Sequence, residues 1–329
     1  MESKKTQVLV TGANGYIGNA LVNFLLGRSE FEVRVAARRG SVLNCPKVHA
    51  FTIGNLEDEP DLIRPLAGCD VVYHCATLAG SNSPHLHEFS LLQKVNVQGT
   101  ANLARQAANA GVKRFVFVST IQVDGETTPP GKKFFADSLP RPKLAVGMSM
   151  LRAEQELKEI SRHTGMEIVI VRTPIVYGPE CRNIFRLAQE IVRYCCPLPL
   201  RSTYGNMRSL VGIDNLTSFL FCVATHPKAA NETFLVSDGQ HMSTLQIFKL
   251  LAETCGRPCL LWAFPTKLLS LFNSYIGRRS WGEFLFENLV VDIGKNKALL
   301  GWKPPFSVED QFTRSWKKRK VLGAEAVSK

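Results

Sequence analysis

The chain contains no long apolar run and no segment typical of a secretion signal. No uninterrupted apolar stretch among its 329 residues is long enough to span a bilayer. The residues that precede Gly12 are too few for the apolar region and cleavage site of a signal peptide. Residues 260–272 could lie on a membrane surface, but Pro265 and Lys267 interrupt them, which favours a buried or docking helix. These absences predict a cytoplasmic chain with no transmembrane segment.

The nine cysteines lack the spacing of a metal site or of a disulfide framework. Cys195 and Cys196 are adjacent, and Cys255 and Cys259 are four apart, with no second pair and no histidines at zinc spacing. Cysteines in apolar stretches pack as small hydrophobic residues. We therefore predict a reducing compartment and no bound metal.

Acidic side chains are scarce relative to basic ones. The chain has 28 Asp and Glu against 40 Lys and Arg, which gives a formal net charge of +12. The basic residues are scattered, apart from a cluster at Lys317, Lys318, Arg319 and Lys320. Such a cluster is typical of a solvated tail, so we expect no nucleic-acid partner. The positive charge suits a small anionic substrate instead.

Short apolar runs alternate with segments of helical spacing in the first half of the chain. This pattern predicts strands at 8–10, 31–37, 70–74, 114–118 and 167–171, and helices at 16–26, 98–110 and 151–163. Alternating strands and helices are typical of an α/β fold, here a Rossmann-type parallel sheet with helices on both faces.

The pattern changes after Pro174, where prolines and irregular segments become frequent and helical spacing appears at 185–194 and 245–255. We predict a smaller C-terminal substrate domain made of residues 174–207 and 239–329. Residues 1–173 then form the dinucleotide-binding domain, with contributions from about 208–238. The smaller domain should lie across the carboxyl ends of the strands, where open sheets of this kind bind ligands.

Three glycines, Gly12, Gly15 and Gly18, lie between the first predicted strand and the first predicted helix. A side chain at the first or second glycine would keep a pyrophosphate away from the backbone N–H groups. The third lets the helix lie close to the strand. The spacing is three and three, yet the strand and helix around it predict the pyrophosphate turn of a nicotinamide dinucleotide site. This turn also contains Asn14, Tyr16 and Ile17.

The second predicted strand ends without a carboxylate. An acidic side chain there would accept a hydrogen bond from the adenosine ribose 2′-hydroxyl and select NAD. This strand ends at Ala37 and is followed by Arg38 and Arg39, whose two guanidinium groups can hold a 2′-phosphate. We therefore predict NADP(H), with NAD(H) as the alternative.

Further motifs follow in a fixed order along the chain. They are Gly54-Asn55-Leu56, His74-Cys75-Ala76, Asn96-Val97-Gln98-Gly99-Thr100, Val118-Ser119-Thr120, RTPIVYGP at 172–179, RSLVGIDNL at 208–216 and LGWKP at 300–304. From Val8 to about Ser307, this order resembles the extended short-chain dehydrogenase/reductase family, in its branch of nucleotide-sugar epimerases, dehydratases and ketoreductases. Within that branch the chain is similar to bacterial O-antigen enzymes, the 4-epimerases and 4-ketoreductases of UDP-linked N-acetyl sugars.

The resemblance implies roles for individual residues in cofactor and substrate binding. It implies further cofactor contacts from Asn55, Leu56, Ala76 and Pro174. It implies substrate contacts from Thr77, Asn183 and Arg208, the last two at the nucleotide diphosphate. An arginine suits a diphosphate because its guanidinium group can donate two parallel hydrogen bonds.

The proton-transfer pair that the resemblance implies is missing. The family uses a tyrosine as the acid/base and a lysine four residues later that lowers the tyrosine pKa. A serine or threonine on the preceding strand hydrogen-bonds the same substrate oxygen, and Thr120 fits this role. Val146 occupies the tyrosine position and Met150 the lysine position. Neither side chain can exchange a proton, so we predict severe impairment of catalysis.

Two explanations of this departure remain open. One is a deliberate knockout of a competent enzyme, and the other is a natural chain that binds without catalysis or uses a different acid. A 4,6-dehydratase is disfavoured, because such enzymes have Thr-Asp-Glu after the strand. This chain has Thr120, Ile121 and Gln122 there, and glutamine cannot donate a proton as an acid.

The sequence therefore predicts an NAD(P)-dependent oxidoreductase or epimerase scaffold for a UDP-sugar, which reduces a 4-keto group or inverts C4. The alternative is a non-catalytic protein that senses NADP(H) or a nucleotide sugar. A steroid- or flavonoid-type reductase is disfavoured by Asn183 and Arg208, which an apolar substrate does not need. The resemblance also implies a homodimer through helices near 98–110 and 151–163.

Overall fold

The structure is a computed structural model that describes residues 5–38, 48–79, 88–181, 183–195, 205–259 and 285–327. In the last helix, side chains are described as far as Lys317.

The main sheet of the described residues has seven parallel strands. They are β1 (Thr6–Thr11), β2 (Phe31–Arg38), β3 (His49–Ile53), β4 (Val71–His74), β5 (Arg114–Thr120), β6 (Glu167–Thr173) and β9 (Thr233–Leu235). Their order across the sheet is β3-β2-β1-β4-β5-β6-β9, and every pair is parallel. The order reverses between β1 and β4, which opens a ligand crevice at the carboxyl ends of these strands. The predicted Rossmann-type sheet is confirmed.

The described α-helices are numbered here in chain order. They are α1 (Tyr16–Leu26), α2 (Ile63–Leu66), α3 (Phe89–Leu92), α4 (Thr100–Asn109), α5 (Ala145–Thr164), α6 (Ile184–Arg193), α7 (Ile213–Thr225), α8 (Thr244–Cys255), α9 (Gly294–Leu300) and α10 (Val308–Val327). A π-helical segment, Gln93–Gly99, leads directly into α4, and a 3₁₀ turn, Ile121–Val123, follows β5.

Each face of the main sheet is covered by a pair of helices. Helices α1 and α7 bury residues such as Leu21 and Phe219 against one face, in a cluster with the β1 valines. Helices α4 and α5 bury residues such as Leu103 and Leu157 against the other face. The sheet is therefore apolar on both sides, as its near-continuous runs of valine, isoleucine and phenylalanine predict.

A second sheet lies beyond Pro174 and has three described strands. They are β7 (Ile175–Tyr177), β8 (Arg208–Gly212) and β10 (His241–Met242), in the order β10-β8-β7. Helices α6, α8 and α10 contribute Phe185, Phe248 and Phe312 to the cluster around it. Strand β9 pairs with β6 of the main sheet, and α7 packs on that sheet. Leu300 and Trp302 also belong to the core cluster on the α1 face.

Several element boundaries differ from those that the sequence predicts. The helix expected at 151–163 begins six residues earlier, at Ala145, because Gly147 and Ser149 lower the apparent helix propensity of its first turns. The segment expected as a helix from Gln98 is π-helical as far as Gly99. Strand β3 was not predicted, because most of its residues are exposed and it lies at the sheet edge.

No helix in the described part of the chain is both long enough and apolar enough to cross a membrane. Residues 260–272, the candidate for a membrane-surface helix, lie outside the described residues.

Candidate functional site

The glycine turn lies between β1 and α1, at the carboxyl edge of the main sheet. Gly12 has a φ of +74°, and a Cβ there would lie 2.6 Å from the backbone nitrogen of Ala76. The Gly15 N–H donates to the Gly12 carbonyl oxygen at 2.8 Å. A Cβ at Gly18 would overlap that same carbonyl oxygen. The first and third glycines are therefore required for the close approach of β1, α1 and the loop after β4.

The N-terminus of α1 is open to an anionic ligand. Its N-cap, Gly15, supplies no side-chain hydrogen bond, and no acidic residue lies in the first turn. Asn14 and Gly15 are exposed, whereas Ile17 is half-buried against the core. The N–H groups at the start of a helix and the helix dipole favour a phosphate at this position.

Tyr16 joins the two parts of the molecule beside this turn. Its half-buried side chain packs against both the main core cluster and the cluster around the second sheet. A Cβ at Gly178 would overlap the Tyr16 hydroxyl, which is buried. Burial raises the pKa of Tyr16 above its usual value of 10.0, so this tyrosine is neutral and is a poor substitute for an acid/base group.

The predicted adenosine-binding residues lie at the ends of β2 and β3. Arg38 is exposed at the last position of β2, and Arg39 lies outside the described residues. Asn55 is exposed, and its Nδ2 donates to Asp58 Oδ2 at 3.0 Å. Leu56 is buried, with its Cβ close to Gly99 at the start of α4. These residues form one edge of the crevice.

The loop after β4 forms the floor of the crevice. Ala76 and Thr77 are half-buried there, and Ala76 lies next to Gly12. His74 ends the strand fully buried, between Thr11 Oγ1 at 2.7 Å and Thr100 Oγ1 at 2.9 Å. Burial lowers the His74 pKa to about 3. His74 is therefore neutral, and its ring nitrogens link β1, β4 and α4 by hydrogen bonds. It is a poor candidate for an acid in catalysis.

Thr120 ends β5 at the same edge of the sheet. It is half-buried, and its Oγ1 accepts a hydrogen bond from the backbone nitrogen of Gln122 at 3.3 Å. The turn that follows touches the first turn of α5, since a Cβ at Gly147 would overlap the Gln122 carbonyl oxygen. The structure therefore places the 3₁₀ turn that follows Thr120 next to the first turn of α5, which contains Val146.

Val146 and Met150 lie one helical turn apart on α5. Their side chains are 6% and 0% exposed and belong to the apolar cluster between α4, α5 and the sheet. Lys143 is exposed and precedes the helix. The two positions that the family resemblance assigns to proton transfer are therefore apolar and dry.

A hydrogen-bonded chain that the sequence did not predict ties α5 to the crevice floor. Asn96, in the π-helical segment, accepts from the Leu78 nitrogen at 2.7 Å and donates to Ser149 Oγ at 3.0 Å. Ser149 Oγ donates to the Val146 carbonyl oxygen at 2.8 Å. Asn96 and Ser149 are fully buried. Asparagine in an apolar helical segment was the available sequence signal.

A buried ionic cluster lies beneath the same helix. Arg172 of β6 donates to both carboxylate oxygens of Glu154 and, at 2.7 Å, to Asp124 Oδ1. Ser119 Oγ donates to Glu154 Oε1 at 2.6 Å. Burial raises the Asp124 pKa to about 7, against the opposing attraction of Arg172. Arg172 and Glu154 form the centre of the cluster, and the sequence showed only that Arg172 begins the RTPIVYGP motif.

The predicted substrate residues lie on the second sheet and its helices. Asn183 is the N-cap of α6: its Oδ1 accepts from the Phe185 nitrogen at 3.0 Å, and its Nδ2 donates to the Val176 carbonyl at 2.6 Å. Arg208 is buried at the start of β8, and Pro174 is buried between β6 and β7. Among the described residues, no group of His, Cys, Asp and Glu has the arrangement of a metal site.

The comparisons with known proteins agree with this geometry. The family model described as "NAD dependent epimerase/dehydratase family" matches residues 8–237. A UDP-glucose 4-epimerase of Vibrio cholerae is 36% identical over 309 residues, which cover 94% of this chain and 94% of that protein.

Two solved structures share the fold at lower identity. The Bordetella bronchiseptica enzyme WbmG, crystallised in complex with NAD, superposes with a TM-score of 0.78 at 19% identity, covering 98% of this chain and 96% of its own. A UDP-glucose 4-epimerase of Thermotoga maritima with UDP-glucose superposes with a TM-score of 0.75 at 23% identity, covering 96% of this chain and 100% of its own.

Proposed function

The chain belongs to the NAD dependent epimerase/dehydratase family, and we propose that it binds a nicotinamide dinucleotide and a UDP-sugar with little or no turnover. The proposal rests on one observation. The two positions where the family resemblance puts a tyrosine and a lysine hold Val146 and Met150, which are buried among apolar side chains. The chain has Thr120, Asn183 and Arg208 at other positions that the resemblance assigns to the site.

The cofactor part of the proposal is supported by the shape of the glycine turn. The missing Cβ of Gly12 lets the turn pack directly against the backbone of Ala76, and no side chain caps the N-terminus of α1. Both features fit a pyrophosphate. In this arrangement Gly12, Gly15 and the first turn of α1 hold the pyrophosphate, and Ala76 lies beside it. A bound nicotinamide supplies hydride transfer.

The proposed cofactor preference is NADP(H). Arg38 lies exposed at the end of β2, where an adenosine 2′-phosphate would be held, and no carboxylate is available there to accept from a 2′-hydroxyl. NAD(H) is the alternative, and WbmG was crystallised with NAD.

The substrate part of the proposal is supported by Thr77, Asn183 and Arg208. Arg208 brings a guanidinium group into the second sheet, and the net charge of +12 favours an anionic ligand. The Vibrio cholerae relative is a UDP-glucose 4-epimerase. We therefore assign a UDP-sugar as the ligand, with C4 as the position for epimerisation or keto reduction.

The proposed loss of turnover follows from the need to move a proton during hydride transfer. Moving a hydride to or from a sugar carbon requires a proton to move at the attached oxygen. Thr120 can hydrogen-bond that oxygen, but its hydroxyl is too weak an acid to replace a tyrosine–lysine pair. Asp124 is held by Arg172, with its side chain fully shielded from solvent. Removing a positioned acid/base costs about two to four decades of rate.

A non-catalytic sensor is the second candidate function. The apolar pair at positions 146 and 150 favours it, because a sensor needs binding and not proton transfer. An engineered knockout and a natural binding protein would have the same residues at positions 146 and 150, so both are expected to bind the same ligands.

The assembly and location remain proposals too. The family resemblance suggests a homodimer through α4 and α5, and the free cysteines among the described residues fit a reducing compartment such as the cytoplasm. The proposed domain division places residues 1–173 with the cofactor, and 174–207 and 239–329 with the substrate.

Calorimetric titration separates the two candidate functions. The full chain is titrated with NADPH, NADH, UDP and UDP-glucose, with ADP as the control for a diphosphate without uracil. We expect NADPH to bind, and UDP to bind more tightly than ADP. Dinucleotide binding without any UDP affinity would support a sensor of the cofactor alone. Epimerase turnover at rates ordinary for enzymes would contradict the proposed impairment.

A further inference from the structure

An exposed loop joins the turn after β5 to α5, and it carries two unprotected apolar side chains. We call residues 127–144 the β5–α5 loop. Phe135 is 52% exposed and Leu139 is 73% exposed, whereas large apolar side chains are ordinarily buried. Scattered exposed apolar residues are common in soluble proteins. Here the two lie four residues apart in one loop, so they can act together.

The loop is fixed in place by its backbone. Phe134 forms two backbone hydrogen bonds with a segment from late in the chain. Its nitrogen donates to the Val290 carbonyl at 2.8 Å, and its carbonyl accepts from the Asp292 nitrogen at 2.8 Å. The Phe134 ring packs inward, against the cluster that contains Ile121 and Val291. Phe135, one residue later, is left outside. Its exposure therefore follows from a defined backbone path.

Further hydrogen bonds hold the part of the loop that bears Phe135 and Leu139. The Phe135 nitrogen donates to Ser138 Oγ at 3.0 Å, and the Ser138 nitrogen donates to the Phe135 carbonyl at 3.0 Å. Farther on, the Arg141 nitrogen donates to the Val123 carbonyl at 3.1 Å. A closed turn of this kind presents its side chains with little further loss of conformational entropy on binding.

Basic side chains flank the apolar pair in the sequence of the same loop. Lys132, Lys133, Arg141 and Lys143 are exposed, and Asp137 is the loop's one acidic residue. Asp137 is paired with Lys295 at 3.0 Å, and Lys133 lies 3.6 Å from Asp292. The loop therefore has a formal net charge of +3, with Asp137 82% exposed between the two apolar residues.

We propose that the β5–α5 loop docks onto an anionic lipid surface, with Phe135 and Leu139 entering the interface and the basic side chains contacting the headgroups. Apolar residues flanked by lysine and arginine are the combination that such surfaces bind. Both apolar side chains are largely exposed and are therefore accessible to a flat surface. An acidic peptide would instead be expected to need a groove. This inference does not depend on the proposed enzyme chemistry, so the two can fail separately.

Vesicle flotation tests the proposal with the full chain. Vesicles of phosphatidylcholine alone are compared with vesicles that contain equal parts of phosphatidylcholine and phosphatidylglycerol, at low and at high salt. We expect flotation with the anionic vesicles only, and less of it at high salt, because exposed charges are screened. Equal flotation with both kinds of vesicle, or none with either, would overturn the proposal.

Two loop variants and two matched controls locate the contact. Phe135→Ser/Leu139→Ser removes the apolar pair, and Lys132→Glu/Arg141→Glu/Lys143→Glu reverses the charge. Each should lower the apparent vesicle affinity by about tenfold or more. Ile63→Ser, which changes a 72% exposed residue elsewhere, and Arg64→Glu/Lys158→Glu/Lys228→Glu are the controls. If the control charge variant weakens binding as much as the loop variant, the contact is not specific to this loop.

A fluorescent variant provides a readout at the site itself. In Phe135→Trp, the new indole is exposed in the free protein, and its emission should shift to shorter wavelength when anionic vesicles are added. Thermal unfolding followed by circular dichroism verifies that each variant is folded. An unshifted emission in a folded, vesicle-bound protein would show that Phe135 stays in water and would refute the proposed docking.

Discussion

Asn96 Nδ2 donates a hydrogen bond to Ser149 Oγ at 3.0 Å, from the π-helical segment to the second turn of α5. Ser149 Oγ in turn donates a hydrogen bond to the Val146 carbonyl oxygen. The backbone at position 146 is therefore tied to the crevice floor even though the side chain there has no polar group. Under the proposed assignment of position 146, the backbone that would carry a catalytic side chain is held in place, and valine supplies no acid/base group there.

Removing the Asn96 side chain should destabilise the protein. In Asn96→Ala, the Leu78 nitrogen and Ser149 Oγ both lose a buried partner, which costs about 1–3 kcal/mol of the free energy of unfolding for each group left unsatisfied. Urea unfolding measures the loss. Asn23→Ala, at an exposed asparagine of α1, is the control and should change stability far less. Equal losses in the two variants would contradict a structural role for Asn96.

A side chain at Gly12 should disrupt the pyrophosphate turn. Gly12→Ala must adopt a positive φ and must also displace the backbone nitrogen of Ala76, 2.6 Å from the new Cβ. We expect a loss of more than about 1 kcal/mol in stability, together with loss of NADPH binding. Gly205→Ala is the matched control, because its Cβ would meet nothing within 4 Å. Unchanged NADPH affinity in Gly12→Ala would rule out this turn as the cofactor site.

Arg38 should select the phosphorylated cofactor. Arg38→Ala is expected to weaken NADPH binding by about tenfold, which corresponds to roughly 1.4 kcal/mol, and to leave NADH binding nearly unchanged. Lys158→Ala, at an exposed cation of α5, is the control. Fluorescence titration with both dinucleotides gives the ratio of the NADPH and NADH dissociation constants for each protein. A parallel loss for NADH and NADPH would argue against a 2′-phosphate contact.

The buried cluster around Arg172 should make stability depend on pH through Asp124. The Asp124 pKa rises from 3.8 to about 7 on folding, because burial shields the carboxyl group from water and the Glu154 carboxylate lies nearby, and these effects outweigh the attraction of Arg172. A raised carboxyl pKa means that the folded state binds the proton more tightly. This contribution to stability is complete below pH 3.8 and is lost as the pH rises to about 7.

Asp124→Asn isolates that contribution, because the amide cannot titrate. Between pH 4 and 7, the parent should lose free energy of unfolding relative to the variant, with each unit of pKa shift worth about 1.4 kcal/mol. Urea unfolding at several pH values measures both proteins. A difference between the two proteins that stays constant over this range would contradict a raised Asp124 pKa.

The sheet and the glycine turn could be predicted from the sequence, because their signals are local. The runs around Val8 and Phe115 have the composition of buried parallel strands, and Gly12 to Gly18 lies between a strand and a helix. The cluster of Asp124, Glu154 and Arg172 could not be predicted, since it joins a turn, a helix and a strand that meet only in the fold. The π-helical segment was also missed, because apolar spacing does not distinguish its hydrogen bonding from that of an α-helix.

The placement of Val146 and Met150 required both the sequence and the structure. By the family resemblance, these are the positions of the acid/base tyrosine and of the lysine that lowers its pKa. The structure then showed that the two side chains are buried, that Lys143 is exposed and precedes α5, and that Asp124 is ion-paired with Arg172.

Restoring the two side chains tests the central claim most directly. Val146→Tyr/Met150→Lys would supply an acid/base group and a cation one helical turn apart, on a helix whose backbone is already tied to the crevice by Ser149. UDP-glucose 4-epimerase activity is measured for the parent, for each single variant and for the double variant, with NADH and NADPH binding to confirm folding. We predict that the double variant exceeds the parent by about two decades or more in rate. A parent chain that already turns over as fast as the folded double variant would contradict the account.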